Sequence, residues 1–161
     1  MLDLSKIISV TDVVETGRPS LGEKGEKLAA DHLIANGFRI VLTNFKVPVG
    51  RNTKGVAVTG EIDIIALDGE TICFVEVKTR RSDEFASPEV NVDRRKQRQI
   101  TRTAKLYRRL FNIWGMPYRY DVVTVVMPLD SEPTTTHLKN YWHESQFRKR
   151  SWSTEAWQEF P

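Results

Sequence analysis

Glu61 and Asp63 stand two residues apart in one β-rich run, and Glu76 and Lys78 stand two apart in the next. The runs, Glu61 to Leu67 and Thr71 to Thr79, meet across Asp68-Gly69, the strongest short hairpin signal a sequence offers. With those two residues as the loop, Leu67 opposes Glu70, Ile65 opposes Ile72, Asp63 opposes Phe74 and Glu61 opposes Glu76. One face then carries Glu61, Asp63, Ile65, Leu67, Glu70, Ile72, Phe74, Glu76 and Lys78, and the other carries Ile62, Ile64, Ala66, Cys73, Val75 and Val77. The four charges thus gather at one end of a hairpin otherwise built for burial. An unpartnered carboxylate there costs several kcal/mol, so these groups must be paired, hydrogen-bonded or bound to a metal. Asp63 and Glu76 are diagonal neighbours in this register, about 7–8 Å apart at the backbone, and can share one cation. Oxygen-only ligands suit Mg²⁺ or Mn²⁺ and not zinc. Together with one further carboxylate, Asp63 and Glu76 carry a triple negative charge that a divalent ion and Lys78 would cancel. Such a site can hold a phosphodiester, polarise it and turn bound water into hydroxide, with Lys78 contacting a phosphate oxygen or positioning the water. The alternative is structural: Lys78 only neutralises Glu61 or Glu76 in an edge ion pair.

The elements that must position these residues follow from the same runs. Both hairpin faces are largely apolar, so the hairpin belongs in mid-sheet with helices on both sides, an α/β layered domain. Glu23 to Asn36 reads as a helix from Leu28, Ala29 and Leu33, with Gly37 as its left-handed stop. Phe38 to Phe45 reads as a strand, and Lys46 to Thr59, rich in Gly, Thr and charge, as a mobile loop, with a short hairpin inside it as the alternative. Asp93 is the expected N-cap of a helix to about Phe111, with Ile100, Ala104, Tyr107 and Phe111 as its core stripe. Tyr118 to Met127 reads as a buried strand stopped by Pro128. The expected division is an arm over 1–20, a core over 21–128 and a Trp-rich extension over 129–161 packed on or near the core.

The chain of 161 residues carries a net charge of +3, with 40% hydrophobic and 28% charged residues, the composition of a folded soluble domain. That mean hides a basic block: from Lys78 to Arg109 there are eleven basic residues against the acidic Asp83, Glu84, Glu89 and Asp93. Because the block begins in the charged strand and runs along the next helix, it favours a polyanion over a merely solvated face. No apolar run is long enough to span a membrane, and Asp3, Lys6, Asp12 and Glu15 occupy the place of a secretory signal. The lone Cys73 has no disulfide partner, and the expected location is cytoplasmic. His32 reads as a core or boundary residue, His137 and His143 lack partners at zinc spacing, and neither a G-x-S-x-G nucleophile nor a nucleotide-binding glycine loop is present. Trp142, Phe147, Trp152 and Trp157, interleaved with Arg148, Lys149 and Arg150, are expected to cover the core in preference to stacking on bases.

Gly60-Glu61-Ile62-Asp63 followed by Phe74-Val75-Glu76-Val77-Lys78-Thr79-Arg80 resembles the D-x(n)-E-x-K signature of the restriction-endonuclease-like superfamily. More closely the chain resembles the YraN family, uncharacterised bacterial proteins described as predicted endonucleases distantly related to archaeal Holliday junction resolvases. Gly22-x-x-Gly25-Glu26-x-x-Ala29 with Leu33 and Gly37 is similar to that family's first helix, and Asn44 stands where the family has an Asn ending its first strand. Val92 to Lys96, Ile100, Ala104 and Tyr107 are similar to its basic helix, and Arg119 to Val123 to its last core strand. The resemblance spans roughly residues 20 to 127; the Lys46–Thr59 link and the tail after Leu129 depart from it. It implies a central mixed sheet with helices on both faces, Asp63, Glu76, the Val77 carbonyl and Glu26 around Mg²⁺ or Mn²⁺, and Lys78 as catalytic lysine. Glu26 also reads as an ordinary solvent-facing helix residue among Glu23, Lys24 and Lys27. The expected activity is a metal-dependent endonuclease on DNA, branched or structured, gripped by Arg80, Lys96, Arg98 and Arg102. A two-fold homodimer is the dependent expectation, because resolving a junction takes two active sites. The alternative is a non-catalytic nucleic-acid-binding module that keeps the nuclease fold.

Overall fold

The structure, a computed structural model, describes residues 18–81 and 92–147. Most of the expected arm lies outside these residues, as do Asp83, Glu84 and Glu89 of the basic block and the tail with Arg148, Lys149, Arg150, Trp152 and Trp157. In chain order the elements are α1 (Leu21–Ala35), β1 (Arg39–Arg51), β2 (Ala57–Asp68), β3 (Thr71–Arg80), α2 (Arg94–Leu110), β4 (Tyr118–Val126), β5 (Thr134–Trp142) and a short 3-10 turn, Glu144–Phe147.

Both helices start where their caps dictate. Ser20 and Glu23 form a reciprocal capping box at α1, and Gly37 beyond its end takes the left-handed φ of 85°. At α2 the Asp93 carboxylate accepts the backbone N–H of Lys96 at 2.8 Å. The strands form one sheet in the order β1-β2-β3-β4-β5, with β3 and β4 parallel and every other pair antiparallel. Helix α2 is the crossover between the parallel pair, as such a pair requires. Ala29 and Leu33 of α1 pack on Ile64, Ala66, Cys73, Val75, Val123 and Val125. On the other side Ile100, Ala104 and Tyr107 of α2 pack on Phe45, Ile65, Ile72, Phe74 and Val122. The fold is therefore the expected α/β mixed sheet with a helix on each face. No helix among the described residues is long and apolar enough to cross a membrane.

Three expectations change. Lys46 to Thr59 is a hairpin in place of a mobile loop: it forms the outer half of β1 and the start of β2, longer than the short hairpin expected as the alternative, and only a short turn around Asn52 and Gly55 joins them. Pro48 is tolerated there because β1 is an edge strand and a missing N–H costs no ladder bond on its open side. Phe111 leaves the core stripe of α2 as its exposed C-cap, and Arg108 is buried in its place. Beyond Leu129 the chain adds the edge strand β5, whose Trp142 is buried and donates its indole N–H to Thr101 at 3.1 Å, as expected of a core tryptophan.

Candidate active site

The hairpin turn is one residue later than Asp68-Gly69. Asp68 opposes Thr71, and Gly69 (φ 59°) with Glu70 makes the loop, so glycine holds the first central position of a type II′ turn. The register therefore moves by two. Alternation is kept, but Asp63 comes level with Glu76, not with Phe74, and Glu61 does not oppose Glu76. A second change is sharper. The β2–β3 ladder ends at Ile64 and Val75, beyond which β2 pairs only with β1 and β3 only with β4. Two central neighbours thus part, with Asp63 and Glu76 at the fork. The Asp63 Oδ2 accepts the N–H of Val77 at 2.7 Å, which satisfies a backbone donor that the departing strand no longer reaches.

At the same point β2 exchanges faces. Ile64 packs under α1, whereas Ile62 joins Phe45 under α2, so the expected common face of Ile62 and Ile64 does not hold. Opposite Asp63, Asn44 takes a left-handed φ of 53° in the middle of β1; it marks this irregularity and does not end the strand. Gly60, one turn of the pleat outward, lies against Thr103 of α2, whose hydroxyl a Cβ there would strike.

Glu76 is 2% exposed and meets two ammonium groups: Lys78 Nζ lies 2.9 Å from Oε1 and Lys96 Nζ lies 3.2 Å from Oε2. The Lys96 contact is within ion-pair range but is not a directed hydrogen bond, and Oε2 is left buried without a directed donor. Glu61 stands apart on Lys46 at 3.2 Å, so Lys78 neutralises Glu76 and not Glu61. Asp63 is 8% exposed, and its carboxyl is pushed up to about 7, first by burial and then by the neighbouring Glu76. The Val77 N–H and Lys96 pull it down, and Glu26 adds the weakest upward push. Burial pulls the Lys96 ammonium down, but Glu76 and Asp63 outweigh that and hold it above the ordinary lysine value.

Glu26 is half-buried on α1, which sits close to β3 because Gly25 leaves room for the Thr79 side chain. It lies within electrostatic reach of Asp63, yet among the described residues no three His, Cys, Asp or Glu side chains gather tightly enough to hold a metal by themselves. Two adjacent buried carboxylates, one with an orphaned oxygen and the other pushed toward neutrality by burial and by its neighbour's charge, nevertheless fit a hard divalent ion. Mg²⁺ in particular takes one or two protein carboxylates and completes its shell with water and substrate phosphate. Val77, whose carbonyl would add a third oxygen, lies between Glu76 and Lys78 on β3.

Of the expected polyanion contacts, Arg98 and Arg102 lie exposed on α2, with the Arg98 guanidinium 5.7 Å from the centre of the Phe147 ring. Arg80 is half-buried at the end of β3, and its carbonyl accepts the Met127 N–H at 2.8 Å. Lys96 departs from this group: the first turn of α2 brings it to Glu76. The one sequence signal for that was Asp93, whose cap fixes where α2 begins. His137, set aside as a zinc ligand, pairs with the fully buried Asp121 at 2.9 Å, and Asp121 also accepts from Arg119 and from the Asn140 N–H. That network is saturated within the protein and lies toward the Asp68 end of the sheet.

The model of the uncharacterised protein family UPF0102 matches residues 25–125, the stretch from α1 through β4. The chain is 37% identical over 129 residues to a UPF0102 protein of Trichlorobacter lovleyi, which covers 80% of this chain and 94% of that one. It is 40% identical over 119 residues to a UPF0102 protein of Renibacterium salmoninarum, covering 74% and 92% of the two chains. With one of Chlorobaculum tepidum it shares 44% identity over 106 residues, 66% of this chain and 74% of that one.

Proposed function

The chain belongs to the uncharacterised protein family UPF0102, the YraN family its motifs resemble, and we propose that it is a Mg²⁺- or Mn²⁺-dependent endonuclease acting on DNA. The observation that carries this reading is the parted pair of central strands, with Asp63, Glu76 and Lys78 at the fork. A buried strand fork is costly, and its carboxylates are more costly still, unless a cation and an anionic substrate complete it.

In this reading Asp63 and Glu76 hold the metal, with the Val77 carbonyl, and Glu26 approaches it directly or through water. When bound, the ion would polarise the scissile phosphodiester and lower the pKa of attacking water. Lys78, released from neutralising Glu76, faces the phosphate or the nucleophile. Arg98, Arg102 and Arg80 contact the backbone on the α2 side, and such contacts position the duplex without reading its sequence. Branched DNA is the favoured substrate class on kinship alone, and a two-fold dimer of this chain would supply the paired cuts a junction needs.

The test is cleavage of a labelled panel of single strand, duplex, flap, fork and four-way junction with Mg²⁺ or Mn²⁺, with Glu76→Ala in parallel to exclude contaminating nucleases. Metal-dependent products from the native chain alone would support the reading. One observation favours the rival, a non-catalytic nucleic-acid-binding module: both Glu76 oxygens already face lysines. The rival expects salt-dependent DNA binding with no products, unaffected by Asp63→Ala.

A further inference from the structure

The two lysines on Glu76 are not equivalent. Lys78 belongs to β3 itself, two residues along, and its Nζ lies 2.9 Å from Oε1, an ion pair within one strand. Lys96 reaches Glu76 from another element, at 3.2 Å and without hydrogen-bond alignment, so the oxygen it faces remains without a directed donor. Its backbone is fixed, because its N–H is the one the Asp93 cap takes. Its side chain is 29% exposed, on a flexible four-carbon stem. An ammonium firmly rooted at its backbone, partly exposed along its stem and held over a buried oxygen by charge without a hydrogen bond is a cation that can leave.

We propose that Lys96 is a displaceable internal cation: it occupies Glu76 while no divalent ion is bound, yields that oxygen to the ion, and turns toward the phosphate backbone on the α2 face. The inference rests on the metal-site reading above and adds a regulatory consequence to it. Lys96 is on the helix whose exposed surface carries Arg98 and Arg102, so a polyanion settling there attracts its ammonium away from Glu76. Binding of polyanion and of metal then favour each other, and by linkage each raises the affinity of the other by the same factor. Without DNA the site is held closed by its own lysine, which limits adventitious metal loading and ties assembly of the centre to arrival of the substrate.

The experiment is a calorimetric titration of the full chain with Mn²⁺, without DNA, for the native protein, Lys96→Met, Lys96→Gln, Arg98→Ala and Glu76→Gln, each checked for folding by its melting curve. Removing the competitor should tighten Mn²⁺ binding roughly tenfold in Lys96→Met, within the usual range of couplings between sites. Lys96→Gln should do the same and serves if the Met variant folds poorly. Arg98→Ala removes the same charge from the same helix and should change affinity by less than about twofold, since exposed charges are screened. Glu76→Gln should lose the binding. If the native chain binds Mn²⁺ and both Lys96 variants bind it no tighter, or if Arg98→Ala tightens it equally, the inference is overturned and the metal-site reading stands. If neither the native chain nor the Lys96 variants bind Mn²⁺, both are overturned.

Discussion

Asp63 is a carboxyl group placed where it weakens the fold it belongs to. Its folded value of about 7 lies above the ordinary 3.8, because burial and Glu76 oppose its charge. As pH rises past 3.8 the unfolded chain ionises this group freely and the folded chain cannot, so stability falls from about pH 4 to pH 7 and then levels. Asp63→Asn keeps an oxygen for the Val77 N–H and removes the charge. In EDTA it should be more stable than the native chain at pH 8, by on the order of 3 kcal/mol, and nearly equal to it at pH 4. Urea unfolding of both proteins at the two pH values checks this, and added Mg²⁺ should stabilise only the native chain at pH 8. Cys73, by contrast, is chemically silent. Burial pushes its thiol up to about 12, with Asp121 as the next cause, so iodoacetamide at pH 8 should label it only after unfolding, as mass spectrometry would show. At this scale Asp63, Glu76 and Lys78 were legible because charge in an apolar run is costly enough to need a reason. Lys96 was not, since among its many basic neighbours nothing local distinguishes the one residue that packing turns inward.

The elements meet at contacts only particular residues permit, and these carry the next two predictions. An exposed helical glycine changed to alanine normally gains up to about 1 kcal/mol. Gly25→Ala should instead lose about 1–3 kcal/mol, because the new Cβ collides with Thr79 and must push α1 off β3. A lowered melting temperature, partly recovered by Thr79→Ala, would show that helix approach is the cause. On the other face the 3-10 turn is fastened by Glu144, which accepts from the Tyr120 hydroxyl at 2.7 Å and from Arg108 at 3.2 Å. Arg108 is 7% exposed and its guanidinium lies 3.7 Å from the centre of the Tyr118 ring. Glu144→Ala strands that buried cation and should cost about 3–5 kcal/mol in denaturant unfolding, whereas Arg108→Met with Glu144→Leu should recover much of it. Central strands and both helices could be read from apolar runs and caps. The outer half of β1 and all of β5 could not, because edge strands with one wet face need no continuous apolar run, and Pro48 and Gly50 imitate a loop. The hairpin register slipped because Asp68-Gly69 and Gly69-Glu70 both make good two-residue turns, and the sequence holds no local reason to prefer the second.

Over the whole molecule, charge is separated from its site of use by one helix. The carboxylates sit at the fork between β2 and β3, the cations of α2 stand above it, and a net +3 disguises how strongly that one side attracts an anion. On the proposed reading, DNA binding and cutting would be separable. Exposed Arg98 and Arg102 touch no carboxylate of the fork, while Lys105 of the same helix is engaged by Glu144 at 3.4 Å. Removing both arginines should therefore weaken duplex binding without altering metal affinity. Each phosphate contact contributes a slope of about −0.9 to log K against log salt, so Arg98→Ala with Arg102→Ala should flatten that slope by about 1.8. Lys105→Ala should change it far less, since its ammonium already has a partner. Fluorescence anisotropy of a labelled duplex between low and moderate salt measures both slopes. Flattening by Lys105→Ala of half that of the double variant, equal per charge removed, would mean that α2 acts as a diffuse positive field and grips no particular phosphates. Flattening by Lys105→Ala well below half that of the double variant, with Mn²⁺ affinity intact in the latter, would assign the backbone contacts to Arg98 and Arg102 and leave the metal site independent of them.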